Sequence, residues 1–326
     1  MRVQGKSIGT GLFCDRGFAF VLAAALLVQG ASSQAAPAVD GPSLRWFGGY
    51  DFGFTAGETS SFGGFGTVAF PEIKTHAFGS GLLLTMPLHP RIGVRLGLAG
   101  GGQVSEFDYE FPFFGAANGD EIWGWDVTTG ADVFARNPEV GFVELGYRYR
   151  YASFDSNPGF EEQRQIGTLA AGLYLGSSAL LADGGQPRKR WRSPTIDLET
   201  RFTYSRILLE RRGFDSTSPE YSIEALAHVY LGERVRFGLG GRYAYEDVNS
   251  IDDFWSRDVR GLLRLLWLIP VGGSQSLTLG LRASGGEIRE KGFFGSFDRA
   301  VASAGFEIGV LYPGGDSLVR LLRERF

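Results

Sequence analysis

Cysteine, lysine and long apolar runs are all scarce in this chain of 326 residues. The single cysteine, Cys14, lies near the N-terminus, so the rest of the chain has no disulfide framework, no thiolate nucleophile and no cysteine-based metal site. The one long apolar run ends before residue 31, which excludes a bundle of membrane-spanning helices. With 32 basic and 36 acidic residues, the charge balance fits neither a basic nucleic-acid surface nor a disordered segment.

Motifs of catalysis and metal binding are also missing. The three histidines are His76, His89 and His228, and no HExxH, EF-hand loop or GxxxxGK[ST] phosphate loop occurs. We therefore predict no catalytic residue, no metal and no cofactor. His228 is the one histidine expected in mid-strand on a polar face, and Glu224 on the same face lies about 13 Å away along an extended strand.

The first 35 residues have the layout of a secretory signal peptide. Basic residues precede an apolar run of 12 residues, Gly17 to Val28. Ser33 and Ala35 provide small residues at the two positions that signal peptidase recognises, so we predict cleavage after Ala35 and export. A retained anchor is the disfavoured alternative, because the run is too short to span a bilayer. Residues 36–43 then form a short periplasmic lead.

Apolar and polar residues alternate with a period of two from residue 44 to residue 312, which predicts half-buried strands. In the stretch from 234 to 246, for example, Phe237 and Leu239 share one face whereas Arg236 and Arg242 share the other. Most segments exceed the 9–11 tilted residues that cross a bilayer. The pattern predicts twelve strands, at about 44–56, 76–88, 91–109, 121–134, 139–152, 163–175, 194–209, 219–231, 234–247, 254–269, 276–289 and 298–312.

The connections between these segments alternate in length. Tight turns follow the second, fourth, eighth and tenth segments, whereas mostly longer loops, such as Gly57–Thr75 and Phe111–Asp120, follow the odd-numbered ones. One connection on the short side, 176–193, is long and carries a basic cluster, Arg188–Arg192. Short turns at one rim and longer loops at the other are typical of outer-membrane barrels.

Aromatic residues and charges divide between the two faces of the strands. On the apolar face Tyr and Trp lie near strand ends, as expected of rings at membrane interfaces. The opposite face carries charges in mid-strand, which a soluble core rarely tolerates. The aromatic set is Trp46, Trp123, Trp125, Tyr149, Tyr151, Tyr204, Tyr221, Tyr243, Tyr245, Trp255, Trp267 and Tyr312.

We predict that the charged face lines a barrel lumen with a near balance of arginines and acidic residues. Such a balance fits either a narrow pore with opposed acidic and basic ladders or a salt-bridge network that fills the lumen. Twelve strands enclose more than side chains readily fill, which favours a channel or a ligand-holding lumen. The lumen-lining candidates are Arg95, Asp126, Asp132, Glu144, Arg148, Arg201, Glu224, His228, Arg236, Arg242, Asp258, Arg260, Arg282 and Glu307.

The segment Ser303 to Val310 (SAGFEIGV) has a polar residue, then glycine, then hydrophobic residues at alternate positions. It resembles the last-strand assembly signal of bacterial outer-membrane β-barrels, and residues 44–312 resemble this porin-like superfamily without matching a specific family. The resemblance implies an all-β, antiparallel up-and-down transmembrane barrel of about 12 strands. It also implies a Gram-negative outer membrane, contact with outer-membrane lipid, and the barrel assembly machinery as a partner.

One alternative to the membrane barrel is a soluble exported β-sandwich or closed barrel. It is disfavoured, because it would bury the charged face or expose most Leu and Phe residues.

The C-terminal tail, residues 313–326, has leucines at helical spacing and needs a surface to pack on. Residues 316–326 are a candidate surface for a periplasmic or envelope partner. The basic cluster Arg188–Arg192 is either a second such surface or, as we favour, a solvated loop beside anionic lipid headgroups.

The function that we predict is a narrow passive channel for small polar solutes in the outer membrane. The alternative is a structural or partner-binding barrel with a plugged lumen. An outer-membrane lipid hydrolase is less favoured, because no motif brings a serine, a histidine and an orienting polar residue together. We predict no enzymatic activity and no nucleic-acid partner.

Overall fold

The computed structural model describes most of the region after residue 40. The predicted signal peptide, the basic cluster Arg188–Arg192 and most of the C-terminal tail lie outside the described residues. No helix in the described part of the chain is long and apolar enough to cross a membrane. The described residues are 41–57, 60–62, 66–68, 72–111, 115–155, 159–175, 195–211, 214–247, 254–272, 275–292, 295–314, 317, 318, 321 and 322.

Twelve long strands close into one antiparallel barrel, and a small hairpin lies between the first two of them in sequence. The hairpin consists of β2 (Ser60–Phe62) and β3 (Gly66–Val68). The barrel strands are β1 (Ser43–Gly57), β4 (Glu72–His89), β5 (Ile92–Phe111), β6 (Gly115–Asn137), β7 (Gly141–Asp155), β8 (Phe160–Leu175), β9 (Thr195–Arg211), β10 (Phe214–Leu231), β11 (Val235–Asp247), β12 (Trp255–Gly272), β13 (Gln275–Gly292) and β14 (Gly295–Tyr312).

Each barrel strand pairs with the next barrel strand along the chain, and β1 pairs with β14 to close the cylinder. Each of the twelve predicted segments corresponds to one barrel strand, so the predicted up-and-down barrel is confirmed. Stepping through paired residues from Phe134 of β6 around the barrel returns to β6 at Asp120, fourteen residues away. With twelve strands, this stagger corresponds to a strand tilt of about 40°.

The two ends of the barrel differ. We call one end of the barrel the turn end. It holds the β4–β5, β6–β7, β10–β11 and β12–β13 connections, together with Ser43 and Tyr312. The opposite end is the loop end. The β8–β9 connection, residues 176–194, also belongs to the turn end and lies outside the described residues.

The outer face of the barrel is apolar. Large hydrophobic side chains such as Val133, Leu145 and Leu281 are about half exposed there. On β6 the outward residues from Val133 to Trp123 contain no charge, and the ten residue-to-residue steps of tilted strand between them cover about 25 Å along the barrel axis. This is the height of the apolar band of an outer-membrane barrel.

Aromatic rings border this band at both edges. Near the loop end the rings of Trp125 and Tyr151 lie 5.4 Å apart, and beyond them Trp123 donates a hydrogen bond of 3.2 Å to the Glu121 carboxylate. Near the turn end Trp46 and Trp267 are exposed on the same outer face. All twelve aromatic residues that the sequence predicts on the apolar face lie on it.

Several loop-end connections are shorter than the sequence predicts. The β5–β6 ladder continues to the pair Phe111 and Gly115, so most of the predicted loop 111–120 is strand. The β9–β10 connection is only residues 212–213. Backbone pairing needs only main-chain hydrogen-bonding groups, so a ladder can extend past the segment that the side-chain pattern marks. The predicted loop 57–75 instead contains the β2–β3 hairpin.

A buried apolar cluster lies inside the barrel at its turn end. It contains lumen-facing Tyr230, Leu268 and Leu311 together with Leu318 and Leu321 of the C-terminal tail, and each is at most 2% exposed. The tail therefore folds back into the turn end and packs its leucines on the inner wall. This contact supplies the packing surface that so short a helical segment requires.

Candidate functional site: the barrel lumen

The inner face of the barrel carries balanced charge. Ion pairs such as Arg95–Glu144 and Arg264–Glu224 join strands that are not neighbours, across an intervening strand, which is the geometry of a concave wall. Among the described residues, this face holds thirteen arginines, at positions 45, 95, 136, 148, 150, 164, 201, 236, 242, 260, 264, 282 and 299, and thirteen acidic residues, at positions 51, 126, 132, 144, 162, 197, 199, 220, 224, 246, 258, 290 and 307.

The structure places all fourteen lumen-lining candidates on this inner face. Each of the thirteen charged candidates takes part in an ion pair. The alternation in the sequence also places eight further charged residues on the same face, at positions 45, 51, 150, 197, 199, 246, 264 and 299. Sequence reasoning missed the remaining five charged residues of the wall. Glu220 is in phase with Glu224 on β10, so the alternation could have placed it on the same face. Glu162 and Arg164 instead lie in a stretch that is polar on both faces. The other two are Arg136 and Glu290.

A dry charged cluster occupies the wall from β5 to β7 near the turn end. Arg95 Nη1 lies 2.9 Å from Glu144 Oε2 and 3.7 Å from Asp132 Oδ2, and Arg148 Nη2 lies 3.5 Å from the same Asp132 oxygen. Asp132 and Glu144 are 3% and 5% exposed. Charges this deeply buried require partners, and the cluster supplies them within the wall.

Arg136 lies beside this cluster in an aromatic setting. Its guanidinium carbon is 5.1 Å from the Phe134 ring centre and 5.9 Å from that of Phe142. The side chain is buried, and its Nε and Nη1 atoms have no hydrogen-bond partner in the structure. The two rings compensate part of the lost hydration through cation–π attraction.

His228 belongs to a second buried network at the turn end. Its Nδ1 atom lies 2.9 Å from Arg236 Nη2, and Arg236 also reaches Glu199 at 3.6 Å. Glu224 binds Arg264 instead, at 2.9 Å, so the expected separation of Glu224 from His228 holds. Since the partner of His228 is an arginine, its geometry is that of a satisfied lumen histidine.

A continuous ion-pair belt crosses the loop-end half of the lumen from β6 to β12. Its links are Arg150 with Asp126 and Glu162 at 3.2 and 3.5 Å, Arg164 with Glu162 and Glu220 at 3.2 and 3.4 Å, Arg242 with Glu220 and Asp258 at 3.6 and 3.9 Å, and Arg260 with Asp258 at 2.7 Å. These side chains are 13–32% exposed, so the belt is wetter than the turn-end cluster.

Small residues line the facing part of the wall. With the strand register and tilt above, their mid-strand positions on β13, β14, β1, β4 and β5 lie at about the height of the belt. We call this surface the small-residue wall, and it consists of Gly49, Gly53, Ala77, Gly79, Ala99, Gly101, Ser284, Gly286, Ser303 and Gly305. Side chains this small fill little of the lumen, and Asp51, paired with Arg282, lies among them.

Comparison with solved structures finds a similar fold. No protein-family model matches the chain, and no curated protein matches its sequence. Its fold is similar to the crystal structure of an outer membrane channel from Pseudomonas putida F1, with a TM-score of 0.53 at 11% identity over 86% of this chain and 100% of the other. The transport unit of the autotransporter AIDA-I from Escherichia coli follows with a TM-score of 0.46 at 12% identity, over 90% of this chain and 97% of the other.

The chain thus folds as a closed β-barrel of twelve strands, apolar outside and charged inside, with a fold similar to that of an outer-membrane channel. Within the described residues, no three His, Cys, Asp or Glu side chains are grouped so as to hold a metal ion.

Proposed function

We propose that this protein is exported with cleavage after Ala35, is inserted by the barrel assembly machinery into the outer membrane of a Gram-negative cell, and there forms a narrow passive channel for small polar solutes. The observation that carries the proposal is the loop-end half of the lumen. There, partly exposed ion pairs form one side, and the small-residue wall leaves space on the other.

The lining chemistry suits small polar solutes of either charge. Thirteen arginines and thirteen acidic residues among the described part of the inner face give no excess of one sign, so neither cations nor anions are strongly excluded. Exposed guanidinium and carboxylate groups can exchange hydrogen bonds with a passing solute. A path bounded by paired charges on one side favours small polar molecules over large or apolar ones.

A second candidate is a structural or partner-binding barrel with a plugged lumen. It is favoured by the tail leucines, Leu318 and Leu321, which pack inside the turn end. The tail as a surface for a periplasmic partner stays a prediction, and its leucine face is already used within the chain. A hydrolase is not supported, because His228 is paired with Arg236, and we propose no enzymatic activity.

Planar-bilayer recording of refolded residues 36–326 tests the channel. We expect small stepwise conductances. Replacing either the cation or the anion of the salt by a bulky ion should lower the conductance to a similar extent, because the lumen has little preference between cations and anions. The barrel must first be shown to be inserted, by protection of the strands from added protease. Inserted protein that stays silent in all its variants would contradict the channel and favour the plugged alternative.

A further inference from the structure

One arginine of the inner face differs from the others in its partners. Within the described part of that face, twelve of the thirteen arginines take part in an ion pair, and Arg136, near the turn end of β6, is the exception. The residue is 5% exposed, and its buried Nε and Nη1 atoms have no hydrogen-bond partner. Because an uncompensated buried charge is strongly unfavourable, such a group indicates a place where an anion binds.

The guanidinium group of Arg136 is held in a fixed aromatic setting. Its central carbon lies 5.1 Å from the ring centre of Phe134 and 5.9 Å from that of Phe142. Each ring lies over a glycine of a neighbouring strand, since a Cβ at Gly93 would collide with the first ring and one at Gly172 with the second. The donors are therefore positioned before a ligand arrives, which lowers the entropic cost of binding.

The charges around Arg136 leave one positive charge in excess. Arg136 interacts electrostatically with Arg95 and Glu144 of the dry cluster. The two carboxylates of that cluster, Asp132 and Glu144, are already shared by Arg95 and Arg148. With Arg136, three cations face two anions. A monoanion would neutralise this group, whereas a dianion would put excess negative charge beside two buried carboxylates.

We infer that Arg136 is the binding site for the carboxylate of a small organic acid at the turn end of the lumen. A carboxylate is monoanionic and planar, and it can accept two parallel hydrogen bonds from one edge of a guanidinium group, which a halide ion cannot. Phe134 and Tyr174 are 6% and 8% exposed, and the Tyr174 ring packs against Phe142, so the border of the site is apolar and suits a short hydrocarbon chain. A role of this site in selecting solutes rests on the proposed channel function, but binding itself does not.

The test compares propionate with propionamide, which has nearly the same shape and no charge. Urea unfolding of vesicle-inserted protein at constant ionic strength reports binding, because a ligand of the native state raises the unfolding midpoint. We expect propionate to raise the midpoint of wild type and propionamide to leave it unchanged. No rise with propionate overturns the inference. A larger rise with inorganic phosphate overturns the assignment to a carboxylate.

Arg136→Met removes the guanidinium group and keeps a long, apolar side chain. The variant should fold at least as well as wild type, because it removes an uncompensated buried charge. Its affinity for propionate should fall by at least on the order of tenfold, since charge-assisted hydrogen bonds are lost. Arg234→Met is the matched control, because Arg234 is exposed in the β10–β11 turn at the same end, and it should respond as wild type. Equal responses of Arg136→Met and wild type to propionate overturn the inference.

Solute flux into liposomes separates the site from the channel. Wild type should admit propionate faster than Arg136→Met does, on the order of threefold, whereas propionamide should enter through both at the same rate. Propionate that stabilises wild type while no variant passes any solute contradicts the channel function and supports the site. Passage of both solutes at the same relative rates through wild type and Arg136→Met, without stabilisation by propionate, overturns the site and supports the channel.

Discussion

Arginine–carboxylate pairs occur throughout the lumen, but they are buried near the turn end and exposed to solvent in the middle of the barrel. Arg95 and Glu144, near the turn end, have side chains that are 12% and 6% exposed, whereas Arg282 and Asp51, in the middle of the opposite wall, are 51% and 37% exposed. A buried pair is held by the cost of leaving either partner alone, and an exposed pair is screened by water and salt. The comparison indicates that the buried charges near the turn end support the barrel, while the exposed charges in the middle of the lumen are available to solutes.

The same division appears in how each half is filled. At the turn end, tail leucines and buried aromatic residues occupy the interior. At the height of the belt, the wall opposite is rich in Gly, Ala and Ser, with Asp51 and its partner Arg282 among them. Twelve strands make a lumen too wide for wall side chains alone to fill. In one half, leucines of the described tail pack on the inner wall, whereas the other half is lined by partly exposed ion pairs.

The largest expected difference is in stability. Glu144→Leu should lower the unfolding free energy by about 3 kcal/mol, because Arg95 stays buried with Asp132 as its remaining, more distant partner. Asp51→Leu should cost less than about 1 kcal/mol, because both partners are solvated. Urea unfolding of vesicle-inserted protein, followed by tryptophan fluorescence, measures both. Equal costs would remove the distinction between the two halves.

A second change narrows the loop-end path. Gly53 faces the lumen, and a Cβ there would meet Thr75 at an ordinary 3.6 Å, so Gly53→Trp adds bulk without a backbone clash. We expect the conductance step to fall by about half, since the ring fills space that solutes would use. Ala302→Trp places the same ring on the outer face and should leave the step unchanged. An unaltered step in Gly53→Trp would mean that the path runs elsewhere.

Selectivity should respond to single charges of the belt. Arg242→Glu places a third carboxylate between Glu220 and Asp258, so a salt gradient should give a reversal potential shifted toward cations. The opposite replacement, Glu220→Arg, should shift it toward anions. Both shifts should be modest, because twenty-five other charges of the described inner face stay in place. A shift of the same sign in both variants would count against the belt as a lining of the path.

The smallest expected effect is the response of the ion pairs to salt. Between about 0.1 and 1 M salt the screening length falls from about 10 to 3 Å. In double-mutant cycles, the coupling between Arg282 and Asp51 should therefore fall toward zero over this range. The coupling between Arg95 and Glu144 should change little, because water and ions do not reach that pair. Parallel loss of both couplings would show that the turn end is hydrated.

Much of the fold follows from the sequence, and the limits have physical causes. The period of two predicts the twelve strands and assigns each side chain to a face, because neighbouring residues of a strand must point in opposite directions. Where both faces are polar, as at Glu162 and Arg164, that signal vanishes, and the true strand ends were missed. The β5–β6 ladder continues beyond the predicted segments because backbone pairing does not depend on the side-chain pattern.

The site was predictable as a surface and not as a set of contacts. Alternation places Arg95, Asp132 and Glu144 on the charged face. It does not show that Arg95 reaches across β6 to Glu144, which depends on barrel curvature and on the stagger between strands. The period also does not single out Arg136, which is buried between Phe134 of its own strand and Phe142 of the neighbouring strand β7.

The class of structure follows from local pattern, because the alternation specifies strands and the placement of aromatic residues and charges specifies which face meets lipid. Both properties can be recognised along the chain without knowledge of the fold. The position of Leu318 and Leu321 depends instead on how distant strands come together. Their helical spacing shows an apolar face in need of a partner, but Tyr230, Leu268 and Leu311 become one patch only when β10, β12 and β14 are curved around a common lumen.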